Sequence, residues 1–277
     1  MKKIINILNE DETEWLYVPN VVYHKYGNLE RHLQMIIPFR RQWEDDKKFP
    51  LILFIPGSAW HKQEMHNNVP DYAKLAELGF VVAAMEYRES DLERFPAQVE
   101  DVGNALDFLP TLAEQFHIDM DKIFLAGNSS GAHIAMMATL LDCHHLCRKL
   151  PNIRGVIGLC GSYDILICAD EPLPPWMKVR PSTVLLGVNQ IEGNEEVARK
   201  ASCVTYVTED VSLPPILLMH SQDDPVVSVD NTRTLYERLI QTQHPVTYYE
   251  LEGDAHCGYT YWSIPVLSKI AEFISSV

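Results

Sequence analysis

The sequence predicts an α/β fold, with a mostly parallel central sheet and helices packed on both faces. Three observations predict it. Short, wholly apolar runs recur along the chain, as in strands buried on both faces. Segments with helical spacing separate them, and such alternation favours parallel pairing with helices covering the sheet. The chain has 277 residues, 47% of them hydrophobic and 22% charged. That size and composition suit one α/β domain over residues 1–277.

The elements follow in order. Asn20 to Tyr26 and Arg31 to Phe39 alternate and are broken by Gly27-Asn28, a hairpin signal. Pro50 to Pro56 is an apolar run that reads as a buried strand. Pro70 to Leu78 has helical spacing and stops at Gly79, a natural residue just past a helix end. Phe80 to Met85 is a second buried strand. Pro96 to Phe116 is helical through Val99, Val102, Leu106, Leu109 and Ala113. Pro96 suits its first turn, and Pro110 should kink or split it. Lys122 to Ala126, Ile153 to Leu159, Pro215 to Met219 and Val246 to Leu251 read as further strands. Ser130 to Leu141, Asn231 to Gln243 and Ser263 to Val277 read as helices. Residues 164–210 interrupt the alternation with Pro172, Pro174, Pro175 and Pro181 and no strong period. They are expected to form a cap-like excursion over one edge of the sheet, not a separate domain.

Thirty-eight acidic against 23 basic side chains give a formal charge of −15. Nucleic acid and anionic membranes both want a basic patch, so neither is an expected partner. No run approaches the roughly 18 apolar residues of a membrane span. The opening Met1-Lys2-Lys3 is followed by Asn6, Asn9 and Glu10, with no small-residue cleavage site, so a signal peptide is not expected. The six cysteines lack a framework spacing, and a cytoplasmic protein with free thiols is the expectation. The sequence leaves room for a homo-oligomer.

Gly127-Asn128-Ser129-Ser130-Gly131 fits G-x-S-x-G, between the apolar strand Ile123 to Ala126 and a helical run. That strand–turn–helix context is what the motif requires, because the sharp turn lifts the central serine to the strand's end. A serine hydroxyl is a weak nucleophile and needs an oriented base. His220 to Val227 follows one strand and offers Asp223 and Asp224; Asp230 is a further candidate acid or a helix cap. Leu251 to Gly258 follows the next strand and offers His256. Ser129, Asp224 and His256 would then meet at the C-terminal edge of one sheet. His220 and His133 are rival histidines. Oxyanion donors are expected from the Ser130 amide and from the loop Gly57-Ser58-Ala59-Trp60, chiefly Ser58 and Ala59. Cys143-His144-His145-Leu146-Cys147 offers metal-ligand types, but His144 and His145 would point in different directions on a helix. No metal and no organic cofactor are expected. Cys257 adjoins His256, too close in sequence for both to face one substrate as nucleophile and base.

Together these pieces resemble the esterase branch of the α/β-hydrolases, near the hormone-sensitive-lipase-like carboxylesterases and the bacterial feruloyl and acetyl-xylan esterase-like group. Ile55 to Trp60 is similar to the family's H-G-G-G-W loop. Tyr87-Arg88, Phe95-Pro96-Ala97 and Asp101 are similar to its Y-R…F-P-A…D stretch, and Leu185 to Gly187 with Ala201 to Val207 to its L-L-G…A-S-P-I-T-Y-V segment. His220 to Val227 resembles H-G-x-x-D-x-x-V, which implies Asp224 as the acid. Pro56, Ser58, Ala59, Ser221 and Cys203 depart from these patterns without removing a catalytic side chain.

The resemblance implies a serine carboxylesterase acting on a small-molecule or oligosaccharide acyl ester. Ser129 would attack, His256 would accept its proton, Asp224 would orient His256, and Trp60 and Trp176 would wall the pocket. Arylformamidase-type amide hydrolysis on the same triad is the alternative, and a non-catalytic binding protein on a hydrolase scaffold is the third. Residues 164–210 carry eight acidic and four basic residues, so an uncharged ester is favoured.

Overall fold

A computed structural model describes residues 14–39, 47–170, 173, 177–253 and 255–277. The chain opens with a hairpin, β1 (Glu14–Tyr26) and β2 (Leu29–Phe39), turning at Gly27 with φ 60°. Then come β3 (Phe49–Ile55), α1 (Val69–Glu77), β4 (Val81–Met85) and α2 (Ala97–Phe108). After them run β5 (Ile118–Asn128), α3 (Ser130–Cys143) and β6 (Ile153–Leu159). Three short helices follow, α4 (Ile165–Asp170), α5 (Pro181–Leu186) and α6 (Glu195–Lys200). The chain closes with β7 (Ile216–Ser221), α7 (Asp230–Gln241), β8 (Val246–Leu251) and α8 (Ile264–Ser276).

All eight strands join one sheet in the order β1-β2-β4-β3-β5-β6-β7-β8. β2 pairs antiparallel with both β1 and β4, and every other pairing is parallel. The parallel strands β3 to β7 are buried on both faces, which is why they read as mostly apolar runs, while β8 at the edge is half-buried. Along β3, Leu51, Leu53 and Ile55 enter the core beneath α2, α3 and α7, while Ile52 and Phe54 enter the core beneath α1 and α8. Each such side chain contributes about 1.5–3 kcal/mol when fully buried.

Several expectations shift in detail. The long helix expected from Pro96 to Phe116 stops at Phe108 and tightens into a 3₁₀ turn at Leu109–Leu112. Pro110 has no N–H to continue the α-helical ladder. β1 and β5 are longer than their apolar runs, because pairing with neighbours extends them past the residues that signal burial. Residues 164–210 hold α4 to α6 and a 3₁₀ turn at Cys203–Tyr206. Helices this short bury one turn of apolar residues at most, too few for a period to show. Pro181 opens α5, and Gly187 closes it in the left-handed conformation at φ 67°. Trp176 and the prolines at 172, 174 and 175 lie outside the described residues. Among the described residues no helix is long and apolar enough to cross a membrane.

Candidate active site

Ser129 sits between the end of β5 and the first residue of α3, with φ 51° and ψ −126°. A non-glycine residue in that conformation is strained, and the strain is held by its surroundings. The turn closes only because its flanks lack side chains. A Cβ on Gly127 would lie 2.5 Å from the Gly131 carbonyl, and one on Gly131 would collide with the Ile55 carbonyl oxygen. The Ser129 amide donates to the Leu159 carbonyl at 2.8 Å, pinning the turn to β6. The positive end of α3 then lies beside the hydroxyl.

The loops after β7 and β8 bring the other two groups in. Ser129 Oγ donates to His256 Nε2 at 3.1 Å, and His256 Nδ1 donates to Asp224 Oδ2 at 2.7 Å. Both distances are hydrogen bonds, and a hydroxyl, an imidazole and a carboxylate in this line have the geometry that a nucleophile, its base and an orienting group need. The Asp224 side chain is fully buried, and its Oδ1 accepts the amides of Val226 at 2.8 Å and Val227 at 3.0 Å. Burial alone would raise its pKa. Hydrogen bonds from His220 and His256 outweigh that and hold the carboxyl well below the usual range. Burial also pushes His256 down, but its interactions with Asp224 and with Cys160 together outweigh that, and the imidazole is raised above its ordinary value. Asp223 and Asp230 are exposed and do not reach the histidine.

His220 is hydrogen-bonded through both ring nitrogens. Its Nε2 donates to the Val227 carbonyl at 3.0 Å and lies 3.3 Å from Asp224 Oδ2, while Nδ1 accepts Thr232 Oγ1 at 2.6 Å. It therefore holds the loop that carries Asp224. His133 is wholly buried, accepts Trp60 Nε1–H on Nδ1 at 3.0 Å and donates from Nε2 to the Ala201 carbonyl at 2.7 Å. Burial lowers its pKa to about 4.

The loop after β3 carries Ser58 and Ala59, from which oxyanion donors are expected. Gly57 packs against the turn so closely that a Cβ there would lie 2.6 Å from the Asn128 carbonyl. Its amide donates to Asn128 Oδ1 at 2.8 Å. The Ser58 amide donates to Ser130 Oγ at 2.9 Å, so it is engaged in holding the loop rather than facing a substrate. The hydroxyl that engages it belongs to Ser130, the residue after Ser129. Ala59 and Trp60 follow in left-handed conformations at φ 53° and 59°, a strained pair beside the turn. Beneath the loop the Tyr87 hydroxyl lies 2.8 Å from Ser58 Oγ and 3.4 Å from Ser130 Oγ. Burial pushes that phenol up to about 12. The Y-R dipeptide marked Tyr87 in the sequence, but its place under the loop depends on packing between β4 and α3.

A cleft of about 520 Å³, including its open mouth, reaches Ser129. Trp60 lines it, as expected, with Ala59, Val226 and Val227 on the sheet side. Cys168, Met177, Arg180 and Ser182 line it from the segment between β6 and β7. Among the described residues that line the cleft, the charged one is a cation, Arg180, and none is acidic. The described acids of residues 164–210 are not among the residues that line the cleft. The Cys143–Cys147 segment gathers no metal-ligand group: His144 Nε2 bonds the Tyr206 carbonyl and Cys143 the Ser212 carbonyl. Cys160, His256 and Cys257 do converge, with ligand-type atoms within 4.8 Å of one another.

The chain is similar to known proteins in sequence and fold. Residues 40–239 match the BD-FAE family. Esterase LipC of Mycobacterium tuberculosis is 29% identical over 80% of this chain and 56% of its own length. The isoprenylcysteine alpha-carbonyl methylesterase ICME of Arabidopsis thaliana is 25% identical over 77% of this chain and 51% of its own. The chain thus spans about half the length of the curated relatives it matches. A truncated carbohydrate esterase from gut microbiota superposes with TM-score 0.81 at 22% identity, covering 96% of this chain and 97% of that one. Esterase B from Lactobacillus rhamnosis gives 0.77 at 18%, covering 96% and 85%. From the match over residues 40–239 and the eight-stranded sheet, the chain belongs to the BD-FAE family and has the α/β-hydrolase fold.

Proposed function

We propose that the chain is a serine carboxylic ester hydrolase acting on small or carbohydrate-linked acyl esters of the acetyl or feruloyl type. The observation that carries this reading is the unbroken line from Ser129 Oγ through His256 to Asp224, at 3.1 and 2.7 Å. The esterase names of the relatives support it. Residues 164–210 act as a cap on the same domain, since they supply one wall of the cleft.

Ser129 Oγ attacks the ester carbonyl and passes its proton to His256 Nε2. Asp224 keeps Nδ1 protonated, so Nε2 is the free base, and stabilises the imidazolium that forms. Charge develops on the carbonyl oxygen. The amides of Ala59 and Ser130, for which no internal hydrogen bond is found among the described residues, are the donors that meet it. Ser58 supports them by fixing the loop. His256 then protonates the departing alcohol, and water activated by the same nitrogen releases the acyl group.

The test is a p-nitrophenyl ester series of rising acyl length, with acetylated xylo-oligosaccharides and N-formylkynurenine, run beside Ser129→Ala. Short acyl esters are expected to turn over fastest. Ser129→Ala is expected to lose at least about 10³-fold in kcat. Undiminished turnover in that variant overturns the assignment of the nucleophile. Faster cleavage of N-formylkynurenine than of any ester overturns the ester reading in favour of the amide one.

A further inference from the structure

We propose that Cys160 and Cys257 form an oxidisable dithiol site, and that a peroxide converts it to a disulfide that displaces His256. The pair is 97 residues apart in sequence, yet the two sulfurs lie 3.1 Å apart. That is inside the usual contact distance of two sulfur atoms, and a disulfide asks the sulfurs to close by only about 1 Å more. Both backbones are bent to allow it. Cys160 has φ 42° and Cys257 has φ 55°, conformations that non-glycine residues rarely adopt.

The two thiols differ in the way such a site needs. Cys160 is fully buried just past the end of β6, and its amide is fixed to the Met219 carbonyl at 2.8 Å. Cys257 is half-buried on the loop after β8, next in the chain to His256. Cys257 is therefore the thiol that a solvent-borne oxidant reaches, and Cys160 is the rigid partner that resolves it. The other four thiols are directed to backbone carbonyls or to Asn231.

The chemistry balances with hydrogen peroxide as oxidant. The Cys257 sulfur attacks one peroxide oxygen, the O–O bond breaks, and a sulfenic acid and one water result. The Cys160 sulfur then attacks the Cys257 sulfur. Hydroxide leaves, takes the Cys160 proton and departs as a second water. Two thiols and one peroxide become one disulfide and two waters, with both sulfurs oxidised and the peroxide oxygens reduced.

Because β6 is a central strand, closure moves the loop and not the strand. The movement of about 1 Å passes to His256, whose Nε2 is already 3.1 Å from Ser129 Oγ. Misplacement of that size costs about 10²-fold in rate. This consequence for activity rests on the triad reading; the cross-link itself does not.

The experiment treats the full chain with hydrogen peroxide and reads mass, peptide connectivity and p-nitrophenyl acetate turnover. A Cys160–Cys257 link with a loss of about 2 Da, activity down about 10²-fold, and recovery of both by dithiothreitol are expected. Cys257→Ser should keep its untreated activity and resist the oxidant, with Cys160→Ser as the second variant if the first unfolds. A gain of about 32 Da at Cys257, no link, or equal inactivation of both variants overturns the proposal. A reversible link in a chain that cleaves no ester overturns the proposed function and sustains the dithiol site.

Discussion

Asp224→Asn tests the site most sharply, because the carboxylate is surrounded by donors on both oxygens. Oδ1 accepts two backbone amides, and Oδ2 accepts His256 Nδ1–H with His220 Nε2–H close by. An asparagine has one acceptor oxygen and one donor nitrogen. Whichever way it turns, its NH₂ opposes two donors. Keeping its oxygen on the Val226 and Val227 amides leaves the NH₂ facing both histidines. His256 must then accept on Nδ1, so its proton moves to Nε2, which points at Ser129 and can no longer act as base. A wrong tautomer of this kind costs about 10⁴ in kcat, or about 5 kcal/mol of transition-state stabilisation. The assay is turnover of p-nitrophenyl acetate across pH, with thermal unfolding recorded in parallel. Activity needs the neutral imidazole and falls as pH drops through the His256 pKa. Asp224 raises that value, so the native acid limb should lie above pH 6.5. In the variant the Asp224 contribution is lost while burial and Cys160 remain, and the residual activity should show the limb moved to lower pH. A folded variant within about tenfold of native activity would refute the reasoning, because the 2.7 Å bond would then not set the tautomer.

Two further outcomes follow from the packing around this line. His133 is held neutral with its pKa lowered to about 4, while in the unfolded chain it titrates near 6.5. The unfolded state therefore binds the proton first, and stability should decline by about 3 kcal/mol from pH 6.5 down to 4. Urea unfolding at the two ends of that window measures the difference, and His133→Gln should flatten it. Gly131→Ala drives a methyl group into the Ile55 carbonyl oxygen, so its thermal unfolding should show a loss of several kcal/mol or no folded protein. A native-like melting curve for that variant would mean the turn and β3 can separate at little cost.

Much of the scaffold was readable because burial leaves a pattern. Ile153 to Leu159 occupies the strand its run foretold, since a strand buried on both faces needs mostly apolar residues, and Val246 to Leu251 forms the edge strand at the bounds expected. Pro110 foretold the end of α2 because a missing N–H acts locally. The Ser129 turn was readable for the same reason, as glycines on both sides leave little other use for that backbone. The segment between β6 and β7 was not readable in detail, because helices of six residues are held by neighbours rather than by their own periodicity. Its charge balance alone does not say which way the acids face, since composition records only how many there are.

The sequence by itself determined the order of strands and helices, the strained serine and the loops that end near it. Those features rest on local backbone chemistry and on the spacing of apolar residues. Only the tertiary structure decided that the Ser58 amide turns to Ser130 Oγ, that Arg180 faces the cleft, and that Cys160 meets Cys257 across 97 residues. Each of those depends on distances between separate elements. Such distances are set by how strands stack and loops cross, and no single stretch of chain encodes them.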